Sequence, residues 1–163
     1  MNVTSQRLNH WLAITSSVII FSLACNTVTQ LLATAGAQVL DVRADEGWQQ
    51  SPVDIVQGQY VTIEAISGKW FEDPPGVWHD AGGGPNPWRC GNPACHEPLP
   101  NFPKYALIGR LGETGGLLPI GARLVFVAGQ SGRLYLRPNY GDVDIPIFRP
   151  EGYVRVRIMV RWN

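Results

Sequence analysis

Nine residues near the end of the chain, Tyr153-Val154-Arg155-Val156-Arg157-Ile158-Met159-Val160-Arg161, constrain the fold more than any other segment. Successive side chains of a β-strand point to opposite faces, so Val154, Val156, Ile158 and Val160 share one face while three arginines share the other. A helix would scatter both sets around its circumference. A half-buried strand of this length needs neighbours to pair with, and the sheet they form needs a second layer over its apolar face.

The same alternation recurs along the chain. In Tyr60-Val61-Thr62-Ile63-Glu64-Ala65-Ile66 the apolar Val61, Ile63 and Ala65 fall on one side. Leu124–Val127 and Arg133–Leu136 follow, separated by Gly129-Gln130-Ser131-Gly132, a natural hairpin connection. Shorter strands are expected at 38–43, 53–56, 105–111 and 144–148. Seven or eight short strands broken by Gly and Pro, with no sustained helical stripe, predict an all-β, two-sheet sandwich of jelly-roll type. The stretch from Trp70 to Lys104, rich in Pro, Gly, Asn and Trp, lacks strand alternation and reads as a long functional loop.

The first 37 residues have a different character. Arg7 precedes an apolar run from Trp11 to Ala24, and Ala35-Gly36-Ala37 is a small-x-small site before Gln38. That is the layout of a cleaved export signal, which leaves one domain over residues 38–163. A retained membrane anchor is the rival, although Cys25-Asn26-Thr27 interrupts the run before it reaches the ~20 apolar residues of a bilayer span. Lipidation at Cys25 is another, weakened by Ser22 where an aliphatic residue is usual. The domain is expected in the secreted, periplasmic or cell-envelope space, with no membrane span in the mature chain.

Formal net charge is 0, and removing Arg7 leaves 0 − 1 = −1. No basic field exists to hold nucleic acid. Cys90 and Cys95 are then the remaining cysteines, and a close pair in an exported protein is most simply a disulfide. Zinc held by Cys90, Cys95 and the histidines is an alternative that lacks a second ligand pair at suitable spacing. The mature chain has two histidines, His79 and His96, and no Gly-x-Ser-x-Gly, His-Glu-x-x-His or phosphate-binding loop. Gly82-Gly83-Gly84 is followed by Pro85 and reads as a turn. Acidic pairs at Glu72-Asp73 and Asp142-x-Asp144 do not by themselves make a hydrolase. The domain is therefore read as non-catalytic.

Sugar rings present apolar C–H faces that stack on indole, while nearby polar side chains fix the hydroxyls. Trp78-His79-Asp80 and Asn86-Pro87-Trp88-Arg89 offer that mixture, with Asn139 and Tyr140 added from a later turn. Trp70, directly after a strand, reads as core. The turn Asn139-Tyr140-Gly141-Asp142-Val143-Asp144 carries oxygen ligands at alternating positions, and with Asp73 it is a candidate calcium loop built from Asp73, Asn139, Asp142 and Asp144.

Several segments together resemble the LecA-like galactose-binding lectins. They are Gly58-Gln59-Tyr60-Val61-Thr62-Ile63 leading to Gly68-Lys69-Trp70, the Cys-x4-Cys pair, Ala106-Leu107-Ile108-Gly109-Arg110-Leu111-Gly112, Gly132-Arg133-Leu134-Tyr135-Leu136 with Asn139 beyond, and Gly152. The resemblance spans about residues 40–160 and implies a small exported β-sandwich that binds sugar through calcium. It fails where the ligands belong. Tyr140 stands where the family has a calcium-binding Asp, and Arg149-Pro150-Glu151-Gly152 stands for its Asn-Asn-Ser-Gly. The expectation is a lectin-like domain binding a carbohydrate or glycoconjugate, with a displaced calcium or none. A structural or partner-binding sandwich, associating through Met159 and the arginine face of the last strand as a homo-oligomer, is the alternative.

Overall fold

The computed structural model describes residues 36–72, 76–84, 96–141 and 150–162. Nine strands occur among them: β1 (Ala37–Arg43), β2 (Gln49–Ile55), β3 (Tyr60–Glu72), β4 (Val77–His79), β5 (Leu107–Leu111), β6 (Leu117–Pro119), β7 (Arg123–Val127), β8 (Gly132–Pro138) and β9 (Glu151–Arg161). No helix is present among the described residues, and no helix there is long and apolar enough to cross a membrane.

Two antiparallel sheets result. One is ordered β1-β9-β3-β4, with β7 also paired to β3; the other is ordered β2-β8-β5-β6. The alternation in β9 works as read: Val154, Val156 and Ile158 are buried, while Arg155 and Arg161 are exposed. Facing them across the sandwich are Val53, Ile55, Leu107, Leu134 and Leu136 of the second sheet. Each such side chain contributes about 1.5–3 kcal/mol on burial, and together they hold the layers face to face. The all-β two-sheet expectation is met.

Strand limits differ from the sequence reading in informative ways. β3 runs six residues past Ile66, because its pairing with β9 slips between Ala65 and Ser67. A bulge adds one residue to one strand of a pair, so the inward set changes phase from Val61 and Ile63 to Trp70, and simple alternation loses track. Gly68 lies just beyond, at φ 90°, where a β-carbon would stand 2.3 Å from the Tyr153 carbonyl oxygen. β2 begins four residues early, at Gln49, and tolerates Pro52 because it is an edge strand with a register shift between Gln50 and Asp54. β5 starts at Leu107 because Tyr105 sits at φ 63°, which ends any extended run. The three-residue strands β4 and β6 were too short to show a period. The expected strand at 144–148 lies outside the described residues, as do the first 35 positions and both Cys90 and Cys95.

Candidate functional site

The short strand β4 folds back on the end of β3 with Trp70 opposite His79, Phe71 opposite Trp78 and Glu72 opposite Val77. Alternation then sorts the aromatics. Trp70 and His79 turn inward and are buried, whereas Trp78 turns outward with 56% of its surface exposed. The Trp78 and Phe71 ring centroids are 5.0 Å apart at 42°. A β-carbon on Gly152 would come within 3.3 Å of Trp78 Cζ3, so the indole reaches across β3 as far as β9. Gly152 lies at φ 88° and leaves that surface clear. Glu151 pairs with Phe71 and Lys69 with Tyr153, which puts an exposed carboxylate and an exposed ammonium on strands beside the indole.

A turn follows β4. Asp80 Oδ1 accepts the Gly82 N–H at 2.8 Å, and the Gly83 N–H donates to the Asp80 carbonyl at 3.0 Å. The glycines are needed here: Gly83 has φ 87°, and a β-carbon on it would lie 2.7 Å from the Lys104 carbonyl oxygen. This turn holds Asp80 exposed next to the strand that carries Trp78.

Beneath the surface the inward side chains form a frame. The Trp70 indole N–H donates to the Tyr105 carbonyl at 2.7 Å. The His79 ring stacks on Tyr105 at 4.9 Å and 1°, and Tyr105 lies 5.3 Å from Tyr140. The segment at Tyr105 and Ala106 is tied to the residue after β8 by two backbone bonds, the Tyr105 N–H donating to the Asn139 carbonyl at 2.9 Å and the Asn139 N–H to the Ala106 carbonyl at 2.8 Å. Tyr140 is fully buried and its hydroxyl donates to the Ala44 carbonyl. Asn139, also fully buried, clips the segment 99–103 to the sheet. Its Oδ1 accepts the Leu99 N–H at 3.0 Å, and its Nδ2 faces the carbonyls of Leu99 (2.9 Å), Phe102 (3.1 Å) and Pro103 (3.2 Å).

The expected sugar contacts therefore separate into two layers. Trp78 and Asp80 are at the surface, while His79, Asn139 and Tyr140 are buried in the frame below. Asn86, Trp88 and Arg89 lie outside the described residues, as do Asp73, Asp142 and Asp144 of the expected calcium set. Asn139 is the one expected calcium ligand that is described, and its amide is occupied by backbone partners. No group of three or more His, Cys, Asp or Glu suited to a metal occurs among the described residues. Phe71 and Tyr105 were not singled out from the sequence. Phe71 follows directly from extending the strand past Trp70; Tyr105 carries no local signal, because its role depends on a left-handed backbone.

No family model matches the chain. No curated protein matches it either. Among solved structures it is similar to the N-terminal domain of EclA, described as a PllA-like lectin, with 18% identity over 78% of this chain and 100% of that one, at a TM-score of 0.51. Likeness at that identity speaks for the architecture alone, a two-sheet β-sandwich shared with that domain.

Proposed function

We propose that the domain is an exported, non-catalytic carbohydrate-binding module whose sugar stacks on Trp78. The observation that carries this reading is the outward indole of β4, spread over a glycine surface and supported from below by a hydrogen-bonded aromatic frame. A tryptophan more than half exposed gives up much of the free energy its burial would supply, and one flat face open to water suits the C–H face of a sugar. Asp80, Glu151 and Lys69 stand near enough in the strand register to address hydroxyls. The lectin-like fold supports the same class of ligand. Calcium enters the proposal through Asp73, Asp142 and Asp144, with Asn139 left out because its amide already holds segment 99–103.

The test is calorimetric titration with a panel of neutral sugars, with and without calcium, alongside the intrinsic tryptophan fluorescence. At least one sugar should bind, and Trp78→Ala should weaken it about tenfold, the scale of one lost aromatic contact. Absence of heat and of any fluorescence change across the panel in both conditions would sink the proposal.

A second reading, association of copies through the outer face of the five-stranded sheet, is favoured by one observation. Val125 and Val127 on β7 and Val39 on β1, all of outward parity in this sheet, are at least half exposed. Sedimentation that shows a sugar-independent dimer, lost on Val125→Lys, would support it.

A further inference from the structure

The outward face of the four-stranded sheet holds a cation that has no anion among the described residues. In its central row Gln50 of β2 pairs with Tyr135 of β8, which pairs with Arg110 of β5. Trp48, the residue before β2, lies over this face, with the Arg110 Cζ 4.3 Å from its ring centroid. The same guanidinium carbon is 5.5 Å from the Tyr135 centroid, so Arg110 lies within cation–π range of both rings. Its Nε is buried and has no hydrogen-bond partner, although the residue as a whole keeps part of its surface in water.

Charge on this face does not balance among the described strand residues. Arg133 is paired with Asp54, its NH2 2.6 Å from Oδ2. Arg137 is buried and donates to the carbonyls of Pro138 and Tyr140 at 3.2 and 2.7 Å. Asp54 is the one acidic side chain that the four strands turn outward here, and Arg133 already holds it. Among the described residues Arg110 makes neither an ion pair nor a hydrogen bond. A guanidinium withdrawn in part from water loses solvation that the π faces only partly replace. Its planar fork is matched by a carboxylate, which accepts two parallel N–H bonds.

We propose that Trp48, Arg110, Tyr135 and Gln50 form a second binding patch, on the sheet opposite the one that carries Trp78, for a carboxylate-bearing sugar of the uronate class. The carboxylate supplies the partner that Arg110 lacks. The aromatic edges flank the pyranose ring, and the exposed Gln50 amide beside Tyr135 can both donate to and accept from hydroxyls. This patch shares no residue with the Trp78 site and does not depend on it.

The experiment is titration of the full chain with glucuronate, glucose and acetate at low ionic strength. Glucuronate should bind at least about tenfold more tightly than glucose, since one charge-assisted contact is worth that much, and more tightly than acetate, which has the carboxylate but no ring or hydroxyls for the aromatic edges and Gln50. Arg110→Gln, checked for folding by its thermal transition, should erase that margin. Gln50→Ala, an exposed change that leaves the sheet intact, should weaken glucuronate several-fold, and the affinity for glucuronate should be the same in the Trp78→Ala background, where any glucose bound at Trp78 no longer contributes. In the Trp78→Ala background, equal binding of glucuronate and glucose, equal binding of glucuronate and acetate, or an added Arg110→Gln change that keeps the margin in a folded protein would each overturn the proposal. Loss of neutral-sugar binding alone would count against the Trp78 reading and leave this one standing.

Discussion

Asn139 offers a sharp test because two readings of it predict opposite outcomes. As a clip, its side chain supplies one acceptor and two amide hydrogens to the backbone of residues 99–103; the three carbonyls within 2.9–3.2 Å of Nδ2 share those two hydrogens. That is three hydrogen bonds, each with a net contribution of about 1 kcal/mol, so Asn139→Ala should cost about 3 kcal/mol. Asn139→Asp should cost at least as much, since it turns a donor into a carboxylate oxygen facing three carbonyls. As a calcium ligand, the same change to Asp would raise calcium affinity and leave the calcium-bound protein no less stable. Urea unfolding reads both, the midpoint reporting stability and an unchanged slope reporting the same folded and unfolded states. A cost below about 0.5 kcal/mol for Asn139→Ala, or an Asp variant more stable than the Ala variant in the absence of calcium, would refute the clip.

Gly68→Ala should destabilise by about 1–2 kcal/mol from its left-handed backbone alone, with more from the clash against the Tyr153 carbonyl, read as a lowered thermal midpoint. Trp70→Phe keeps an aromatic ring in the core but leaves the Tyr105 carbonyl without the indole N–H, and should cost about 1–3 kcal/mol in the same assay. Hydrogen bonds from Arg133 and Arg155 hold the carboxyls of Asp54 and Asp41 below their ordinary range. Lowered folded-state values stabilise the protein above the unfolded carboxylate range, and that contribution disappears as pH falls through them. Unfolding midpoints should therefore decline on the acid side, and Asp54→Asn should make that decline shallower; an unchanged acid limb would show the Arg133 pair to be without effect.

Much of the architecture was legible because burial on one face leaves a period of two in the sequence, and β9 and the first half of β3 show it cleanly. Legibility ended where the backbone departs from a uniform strand. The bulge after Ala65 puts Trp70 on the core face, as read, but a loop taken to begin at Trp70 left Trp70, Phe71 and Glu72 outside the strand that in fact ends at Glu72. β4 has three residues and no room for a pattern, yet it alone decides that Trp78 faces outward and His79 inward. Adjacent residues in Trp78-His79-Asp80 were read as one polar-aromatic cluster, whereas pairing with β3 divides them between surface and frame. Asn139 and Tyr140 show the same limit: polar residues in a turn read as ligand contacts, and only the placement of segment 99–103 and of Ala44 shows what their polar atoms bind. The Trp48–Arg110–Tyr135 arrangement was out of reach for a related reason, since its members come from three places in the chain and meet only through the order β2-β8-β5.

The position of β9 between β1 and β3 also bears on how the chain reaches its fold. Asp41 and Arg155, which meet across β1 and β9, are 114 residues apart in sequence. The central strand of the larger sheet is thus the last of the described strands to leave the ribosome, and the strands on either side of it are among the first. Until it arrives, β1 has no partner among the described strands and β3 lacks the neighbour along most of its length. Contacts this distant carry a loop-closure cost before any of them is rewarded, which slows folding and makes it cooperative. A chain cut short before residue 151 would retain two apolar strands with open edges, the form most prone to pair with copies of itself.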